Sequence, residues 1–452
     1  MNYEIAVIGG GPGGYTAAAK AAKAGFRVVL FERDLLGGTC LNRGCIPTKA
    51  LIHAAETYSA AAHSEGLGIS VQGASYDFAA MHRRKDQVVL TLRQGVEKLM
   101  KSSKVTVVSG SAQVTGPGTV SCGGETYGAE HIILASGSKP SMPPIPGIDL
   151  PGVYSSNDLL EGEGLNLKSL IVIGGGVIGV ESASIYLPLG TKITILEAMD
   201  HILPNMDREL AQRLTMSLKK QGAAVEAGAS VTAISGTPGA MTVTYRTKKG
   251  KECTVTAEGV LVATGRRAET EGLFAPGCAP ELERGAVTAD AQGRTSIPNL
   301  YVIGDARARN IQLAHVAIAQ AENVVALIAG KEPPVDEAVV PSCIFTSPEA
   351  ASVGLTEAEA KAAGHAVRTL KSLTGANGKC LIEGAESGFV KLVADADTGV
   401  ILGAQLICPR ATDLVGELAL AVERKLTASE LAAVIHAHPT FHEMIASAAE
   451  LW

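Results

Sequence analysis

The sequence predicts an α/β fold with two repeated nucleotide-binding domains and a third domain of α+β type at the C-terminal end. Three observations lead to this prediction. The chain has 452 residues, too many for one core, and its 51 glycines suit strand–helix layers with many tight turns. A glycine-rich turn between an apolar strand and a helix occurs twice. From about residue 338 the sequence has no such turn, and its pattern indicates isolated strands and amphipathic helices.

The first nucleotide-binding unit begins at the N-terminal end. A buried strand, an Ala-rich helix and a second strand are predicted at residues 4–8, 15–24 and 27–31. The turn after the first strand reads G-x-G-x-x-G, with glycines at Gly9, Gly11 and Gly14. Glu32 follows 18 residues after the last glycine. The glycines let the backbone approach a pyrophosphate and the acid can bind ribose hydroxyls, so a Rossmann-like dinucleotide site is predicted.

The same pattern returns with an offset of 165 residues. Its glycines are Gly174, Gly176 and Gly179, and its acid is Glu197. The repeat indicates an internal duplication, and therefore two dinucleotides, because a chance glycine run would not keep the acid at the same distance. Glu197 has no arginine beside it, which favours NAD over NADP.

Further segments define the predicted division of the chain. Residues 131–138 and 260–267 are apolar strands that end in a small-residue–glycine turn and close each unit. Residues 300–305 form a third such strand ending in Asp305, which either binds a polyol or ribose or caps the next helix, 312–330. We expect a first dinucleotide-binding part over residues 1–143, an NAD-binding domain over 144–266, a return to the first domain over 267–336 and a third domain over 337–452.

The last domain is predicted from alternating patterns without a glycine fingerprint. Its strands are expected at residues 339–345, 388–393 and 400–408, and its helices at 410–424 and 427–435.

Two cysteines, Cys40 and Cys45, stand just after the first nucleotide-binding unit, in the segment 37–49. A structural disulfide is unexpected in a chain with no secretory signal. A zinc site would need a second Cys or His pair at ligand spacing nearby, and the sequence has none there. The pair is therefore predicted to be a redox-active dithiol. The other six cysteines are scattered and are interpreted as ordinary packing residues.

Three histidines occur within seven residues near the C-terminal end, at His436, His438 and His442. Pro439 would break any helix that aligned them on one metal ion, so no metal site is predicted. A dithiol enzyme needs a base to form the attacking thiolate, and histidine suits this role. Glu443 is close enough in sequence to orient the imidazole.

Charge and hydropathy argue against two classes of partner. The net charge is −6 without a long basic run, so nucleic acid is not expected as a partner. The apolar run at residues 170–180 is short and rich in glycine, so no membrane span is expected. Because the chain enters a strand almost at once, we expect no targeting segment and a cytoplasmic location.

The motifs together resemble those of the flavoprotein disulfide reductases, over nearly the whole chain. The matching segments are Gly-Gly-Gly-Pro-Gly-Gly-Tyr at 9–15, Gly-Gly-Thr-Cys-Leu-Asn-Arg-Gly-Cys-Ile-Pro-Thr-Lys at 37–49, Val-Ile-Gly-Gly-Gly-Val-Ile-Gly-Val-Glu at 172–181, Ile-Gly-Asp at 303–305, Gln-Leu-Ala-His at 312–315 and His-Ala-His-Pro-Thr at 436–440. The pattern is most similar to that of members that oxidise dihydrolipoamide.

The resemblance implies that residues 1–143 and 267–336 bind FAD and that residues 337–452 form a dimerisation domain. It also implies a role for each matching residue. Cys45 would face the flavin and form the charge-transfer thiolate, and Cys40 would exchange with the substrate disulfide. Lys49 and Glu181 would pair near the flavin. His438, oriented by Glu443, would act as the base from the partner subunit. The implied cofactor contacts are Gly9, Gly11, Gly14, Glu32, Lys49, Ala112, Ser136, Gly137, Ser138, Asp305, Gln312, Leu313, Ala314, His315, Gly174, Gly176, Gly179, Glu181, Glu197, Val231 and Gly265.

The function implied by the resemblance is oxidation of protein-bound dihydrolipoamide through the Cys40–Cys45 disulfide and FAD, with reduction of NAD+. The expected partners are a second copy of the chain and the lipoyl domains or lipoylated carrier protein of a multienzyme complex. Mercuric reductase would carry a further cysteine pair near its C-terminus, and glutathione and trypanothione reductases prefer NADP. A soluble transhydrogenase would lack the cysteines, and a non-catalytic flavoprotein subunit would not need the base. Arg43 and the pair Phe441-His442 depart from the family pattern.

Overall fold

The structure, a computed structural model, describes residues 2–385 and 387–452. In the first part of the chain the strands are β1 (Asn2–Ile8), β2 (Val28–Glu32), β3 (Thr106–Ser109), β4 (Ala112–Gly116), β5 (Thr119–Cys122), β6 (Glu125–Leu134) and β7 (Ser138–Pro140). The helices are α1 (Pro12–Lys23), α2 (Gly38–Arg43), α3 (Cys45–Ala62) and α4 (Phe78–Ser102).

The middle of the chain repeats this strand–helix alternation. Its strands are β8 (Val153–Ser155), β9 (Ser169–Ile173), β10 (Lys192–Glu197), β11 (Ala224–Ala227), β12 (Ser230–Thr237), β13 (Ala240–Arg246), β14 (Glu252–Ala257), β15 (Gly259–Val262) and β16 (Arg266–Ala268). Its helices are α5 (Ser156–Leu160), α6 (Val177–Tyr186) and α7 (Arg208–Lys220). The next elements are β17 (Leu282–Glu283), β18 (Ala286–Val287), β19 (Leu300–Val302) and α8 (Ala314–Ile328).

In the C-terminal part, the described residues form an antiparallel sheet and five helices. The strands are β20 (Ser342–Ile344), β21 (Ala350–Gly354), β22 (Val367–Leu373), β23 (Phe389–Asp395) and β24 (Ile401–Ile407). The helices are α9 (Glu357–Ala362), α10 (Gly378–Ile382), α11 (Ala411–Glu423), α12 (Ala428–Ala432) and α13 (Glu443–Ala449). Short 3-10 turns lie at Ser64–Leu67, Leu187–Leu189, Gly304–Ala306 and Thr374–Ala376.

Two sheets carry the nucleotide-binding units. The first has the order β3-β2-β1-β6-β5-β4, and β19 pairs in parallel with β6. The second has the order β11-β10-β9-β15-β8, and all its pairs are parallel. Each glycine turn follows the strand around which its sheet is built, β1 or β9, so both turns lie at the carboxyl ends of parallel strands, where ligands of such sheets bind.

Smaller sheets connect the parts. Strands β12, β13 and β14 form an antiparallel sheet, and β7 pairs with β16 at the crossing between the two nucleotide-binding sheets. The C-terminal sheet has the order β20-β21-β24-β23-β22. The predicted fold class, two doubly wound α/β units followed by an α+β domain, is confirmed. The domain boundaries given above stay a prediction.

The element boundaries differ from the predicted ones in instructive places. The strand expected over 300–305 ends at Val302, because Gly304 has a φ of +67° and starts a 3-10 turn. Asp305 lies in that turn and α8 begins at Ala314, so Asp305 does not cap this helix. The strand expected over 339–345 is reduced to β20, and the helix expected over 427–435 ends at Ala432.

One core cluster joins all three parts of the chain. It contains Leu51 of α3, Leu170 and Tyr186 of the second nucleotide-binding unit, and Ile344 and Phe389 of the C-terminal sheet. Each of these side chains is at most 2% exposed. The packing fixes α3, and with it the cysteine segment, against both other parts. Within residues 2–385 and 387–452, no helix is long and apolar enough to cross a membrane.

Candidate redox-active site

The two cysteines of the candidate site lie on consecutive helices. Cys40 is in α2, and Cys45 is the first residue of α3. Gly44 joins the two helices, and a Cβ atom at this position would lie 2.9 Å from the Thr39 carbonyl oxygen. A glycine is therefore needed for the close turn that brings the two sulfur atoms within hydrogen-bonding reach of each other. Both cysteines are free thiols in this structure.

The pKa values of the two thiols are shifted in opposite directions. The Cys40 thiol donates a hydrogen bond to the Cys45 sulfur, and this is the main reason why the pKa of Cys45 falls to about 7 although burial opposes the change. The ammonium group of Lys49 also lowers the pKa of Cys45. The same hydrogen bond and burial raise the pKa of Cys40 well above its ordinary value. The first proton to leave the reduced pair therefore leaves Cys45.

An ion pair with a buried carboxylate lies next to the dithiol. The Lys49 ammonium is 2.7 Å from Glu181 Oε2, and the Glu181 side chain is 6% exposed. The other oxygen of Glu181 accepts a hydrogen bond from the backbone N–H of Phe345 at 3.0 Å, and Lys49 Nζ also lies 4.6 Å from the centre of the Phe345 ring. The pair thus connects α3, α6 and the C-terminal part, and both charges are satisfied.

The two glycine turns match in atomic detail. In the first, the Glu32 carboxylate accepts hydrogen bonds from the backbone N–H groups of Gly10 and Asp34, at 2.7 and 2.8 Å. In the second, Glu197 accepts from Gly175 and Met199, at 2.6 and 2.7 Å. The acids are therefore held at the edge of each turn by the backbone, and each oxygen keeps a lone pair for a further donor such as a ribose hydroxyl.

The third glycine of each turn serves packing. A Cβ atom on Gly14 would lie 1.8 Å from the Gly9 carbonyl oxygen, and one on Gly179 would lie 2.0 Å from that of Gly174. Gly9 and Gly174 have φ values of +106° and +109°, which favour glycine. The glycines let each helix begin directly against its strand, with its first N–H groups facing the ligand side.

One continuous cavity of about 1880 Å³ contains the cysteines and both glycine turns. The buried Ser136 hydroxyl lines it and has no hydrogen-bond partner among the described residues. Three features fit two dinucleotides bound toward one another. They are the unpaired buried hydroxyl, the acids at the ends of β2 and β10, and the turns that exclude side chains. The residues present therefore fit FAD and NAD.

Most of the predicted cofactor contacts line this cavity. They are Gly9, Gly11, Glu32, Lys49, Ala112, Ser136, Gly137, Ser138, Gly174, Gly176, Glu181, Glu197, Val231, Gly265, Asp305, Gln312, Leu313 and Ala314. Gly14 and Gly179 lie within α1 and α6, behind the cavity wall. The His315 imidazole lies within hydrogen-bonding distance of the Pro341 carbonyl oxygen, at 2.9 Å, and does not line the cavity.

Arg266, for which no role was predicted, holds the serine that contacts Asp305. The Asp305 carboxylate accepts a hydrogen bond from the Ser138 hydroxyl at 2.5 Å. Arg266 donates to the Ser138 hydroxyl at 2.7 Å and to its carbonyl oxygen at 2.6 Å. Burial lowers the pKa of Arg266, and Asp305 opposes this change. The sequence feature that could have identified Arg266 is the segment 260–267, in which this arginine directly follows the Thr-Gly turn.

Arg43 does not act as a free positive charge in the redox segment. Its guanidinium forms ion pairs with Asp34 and with Glu161, the latter at 3.2 Å. Asp34 follows β2 and Glu161 follows α5, so Arg43 ties α2 to both nucleotide-binding units. The two carboxylates offset its field at the dithiol.

The predicted base lies apart from the cysteines in one chain. His438 Nδ1 is 2.8 Å from Glu443 Oε1, and the His438 side chain is 79% exposed. The other oxygen of Glu443 accepts from the Thr440 backbone N–H at 2.8 Å. This bond, followed by the bond to His438, lowers the pKa of Glu443. Among the described residues, none after Glu359 lines the cavity that contains Cys40 and Cys45.

Comparisons with known proteins cover almost the whole chain. Residues 3–321 match the family described as pyridine nucleotide-disulphide oxidoreductase, and residues 340–449 match its dimerisation domain. Dihydrolipoyl dehydrogenase of Bacillus subtilis (strain 168) is 40% identical over 99% of this chain and 97% of its own length. The protein of the same name from Geobacillus stearothermophilus is 41% identical over 99% and 96%. The HOCl-induced flavoprotein disulfide reductase RclA from Escherichia coli has a similar structure, with a TM-score of 0.88 and 30% identity over 99% of this chain and 100% of that one.

Proposed function

The chain belongs to the pyridine nucleotide-disulphide oxidoreductase family, and we propose that its reaction is the oxidation of protein-bound dihydrolipoamide with reduction of NAD+. The family match confirms the prediction of an oxidoreductase that uses FAD and NAD. The observation that carries the proposal is the dithiol itself. Cys40 and Cys45 share a hydrogen bond inside the cavity that both glycine turns line, and the pKa of Cys45 is lowered to about 7.

The proposed thiol chemistry divides the work between the two cysteines. One dihydrolipoamide thiolate attacks Cys40 Sγ of the oxidised pair, so a mixed disulfide forms and Cys45 leaves as a thiolate. A good leaving thiolate is one of low pKa, which Cys45 has. The second lipoyl thiol then attacks the lipoyl sulfur that is bonded to Cys40, so the S–S bond of lipoamide forms, the mixed disulfide breaks and Cys40 is released. Two electrons and two protons leave the substrate, and the Cys40–Cys45 pair holds the electrons.

The cofactors connect the two halves of the cycle. When bound, FAD supplies the two-electron link between the dithiol and NAD+. Glu32, Ser136, Asp305 and the turn at Gly9 would hold the flavin dinucleotide, while Glu197 and the turn at Gly174 would hold NAD. Lys49 keeps positive charge next to Cys45, which stabilises the thiolate between the two half-reactions.

A second copy of the chain would supply the base. His438 with Glu443 is the proposed acceptor of the lipoyl thiol proton, and the match to a dimerisation domain supports a homodimer. No described residue of the base segment lines the cavity with the cysteines, which supports a site completed by a second subunit. The proposed macromolecular substrate is a lipoyl domain or lipoylated carrier protein.

The proposal is tested by comparing acceptors in NADH-dependent turnover. Purified holoenzyme is expected to reduce lipoamide, and to reduce glutathione disulfide or Hg(II) at least about a hundredfold more slowly. Cys40→Ser should abolish lipoamide turnover. Cys278→Ser is the matched control, since Cys278 lies outside the cavity. Equal rates with glutathione disulfide, or a native rate in Cys40→Ser, would overturn the proposal.

A further inference from the structure

The segment that carries the proposed base contains a second histidine–glutamate cluster. Glu417, in the middle of α11, contacts two histidines at once. Its Oε1 lies 2.9 Å from His436 Nε2, and its Oε2 lies 2.7 Å from His442 Nδ1. The two imidazole rings are stacked with centroids 6.4 Å apart. His436 and His442 flank His438 on both sides, so one carboxylate holds both ends of the segment 436–442, which we call the base loop.

The His436 ring is held at both of its nitrogen atoms. Its Nδ1 lies 3.0 Å from the Val434 carbonyl oxygen, and its Nε2 faces the Glu417 carboxylate. The His436 side chain is 7% exposed, so water does not replace a lost partner easily.

The middle of the base loop is held by further contacts. Asn377, at the start of α10, donates its side-chain N–H to the Thr440 carbonyl oxygen at 3.1 Å. The Thr440 backbone N–H donates to Glu443, which also binds His438. Phe441 is buried in the core of the C-terminal part. His438 is the member of the loop whose side chain stays 79% exposed, so its position depends on the anchoring of its neighbours.

We propose that Glu417 is a positioning residue that fixes the base loop, and through it the orientation of the His438–Glu443 pair toward the dithiol of the partner subunit. This inference rests on the proposed function, in which His438 is the base. A displacement of the imidazole by a fraction of an ångström would lengthen the distance over which the proton moves from the lipoyl thiol to His438. It would leave the dinucleotide sites in the other parts of the chain unchanged.

Glu417→Gln tests the proposal, because the amide keeps the size of the side chain but offers one acceptor in place of two. The kcat for dihydrolipoamide oxidation is expected to fall about tenfold, as for other small displacements of catalytic groups. NADH oxidation by ferricyanide, which needs no thiol proton transfer, is expected to stay at the native rate. Glu423→Gln is the matched control, since Glu423 ends the same helix and its partner within 4 Å is Arg424.

Coupling to His438 distinguishes positioning from general damage. In a His438→Gln background, Glu417→Gln is expected to lower kcat by less than about twofold, because the group it positions is gone. A further tenfold loss in that background would overturn the proposal. The exposed residue His442 provides a milder variant: His442→Asn keeps an N–H near Glu417 and should retain more activity than His442→Ala.

Two outcomes separate this inference from the proposed function. If wild-type protein does not oxidise dihydrolipoamide, or His438→Gln retains its full rate, the proposed function fails. If both behave as expected and Glu417→Gln is fully active, the positioning role fails. Hydrogen–deuterium exchange of residues 434–443 gives an answer without turnover: it should rise in Glu417→Gln and not in Glu423→Gln, and unchanged exchange would overturn the positioning role.

Discussion

Cys40 and Cys45 are separated by one turn of backbone, yet their surroundings make them unequal. Cys45 begins α3, receives a hydrogen bond from Cys40 and lies near Lys49, whereas Cys40 is the donor of that bond. A hydrogen bond to the charged form lowers a pKa, and the donor's own pKa rises by the same interaction. The reduced pair therefore holds its single negative charge on Cys45 and keeps a proton on Cys40.

The acidity of Cys45 can be measured directly. In reduced, flavin-free protein, the difference in thiolate absorbance at 240 nm between wild type and Cys45→Ser should titrate with a midpoint at pH about 7. Because the lowered pKa favours the anion, the thiolate should be present above this pH and disappear below it. Cys40→Ala removes the donor, so its midpoint should rise above pH ~8. An unchanged midpoint in Cys40→Ala would show that this hydrogen bond does not set the acidity.

Single residues were predictable where a local motif encodes them. The cysteines, the two acids and the glycines stand at fixed spacing, so the sequence identified them without any contact information. Arg266 contacts Ser138, which lies 128 positions away in the sequence. Glu417 contacts His436 and His442, which lie 19 and 25 positions away. No local pattern encodes such contacts. The sequence shows Arg43 as a departure from the family pattern. Its pairing with Asp34 and Glu161 was not predictable, because these chain segments meet only in the folded protein.

At the scale of elements, the two strand–turn–helix units use the same packing for different ligands. Alanine at the third glycine should therefore separate the two sites. Gly14→Ala would place a methyl group 1.8 Å from the Gly9 carbonyl oxygen, so purified protein should have lost most of its flavin absorbance. Gly179→Ala should keep its flavin and raise the KM for NAD+ by about tenfold or more, since the turn at Gly174 must move.

Gly95→Ala provides the control for this comparison. Gly95 lies within α4, and a Cβ there would meet no atom within 4 Å. This variant should keep native flavin content and kinetics, and gain up to about 1 kcal/mol in stability from better helix propensity. Native flavin content in Gly14→Ala would contradict the close packing of the first turn.

The elements themselves were predictable in type and order, but not in every boundary. Continuous apolar runs and glycine turns located β1, β2, β9 and β10, because strands of parallel sheets are buried on both faces. The strand expected over 339–345 was too long. Phe345 packs against Lys49 and the core cluster, and Val339 packs in the core of the C-terminal part, so neither extends the sheet. Apolar composition alone does not distinguish these uses.

At the scale of the whole molecule, the proposed site is shared between two copies. Hybrid dimers test this sharing. Cys40→Ser and His438→Gln subunits should each be inactive, but a co-expressed mixture should recover about a quarter of the native activity, because half of randomly formed dimers contain one intact site built from both chains. Recovery would be absent if each chain used its own base, since every chain then carries a lesion. Flavin content of each variant serves as the folding control.

The core cluster shared by α3, the second nucleotide-binding sheet and the C-terminal sheet limits how the chain can be divided. Ile344, Phe389 and Ile407 are each at most 1% exposed, and they are covered in part by the other two units. A fragment that began near residue 337 would present this apolar surface to water and would tend to self-associate. The parts are therefore separate in topology but not in stability, and unfolding of one part is expected to unfold its neighbours in a single cooperative transition.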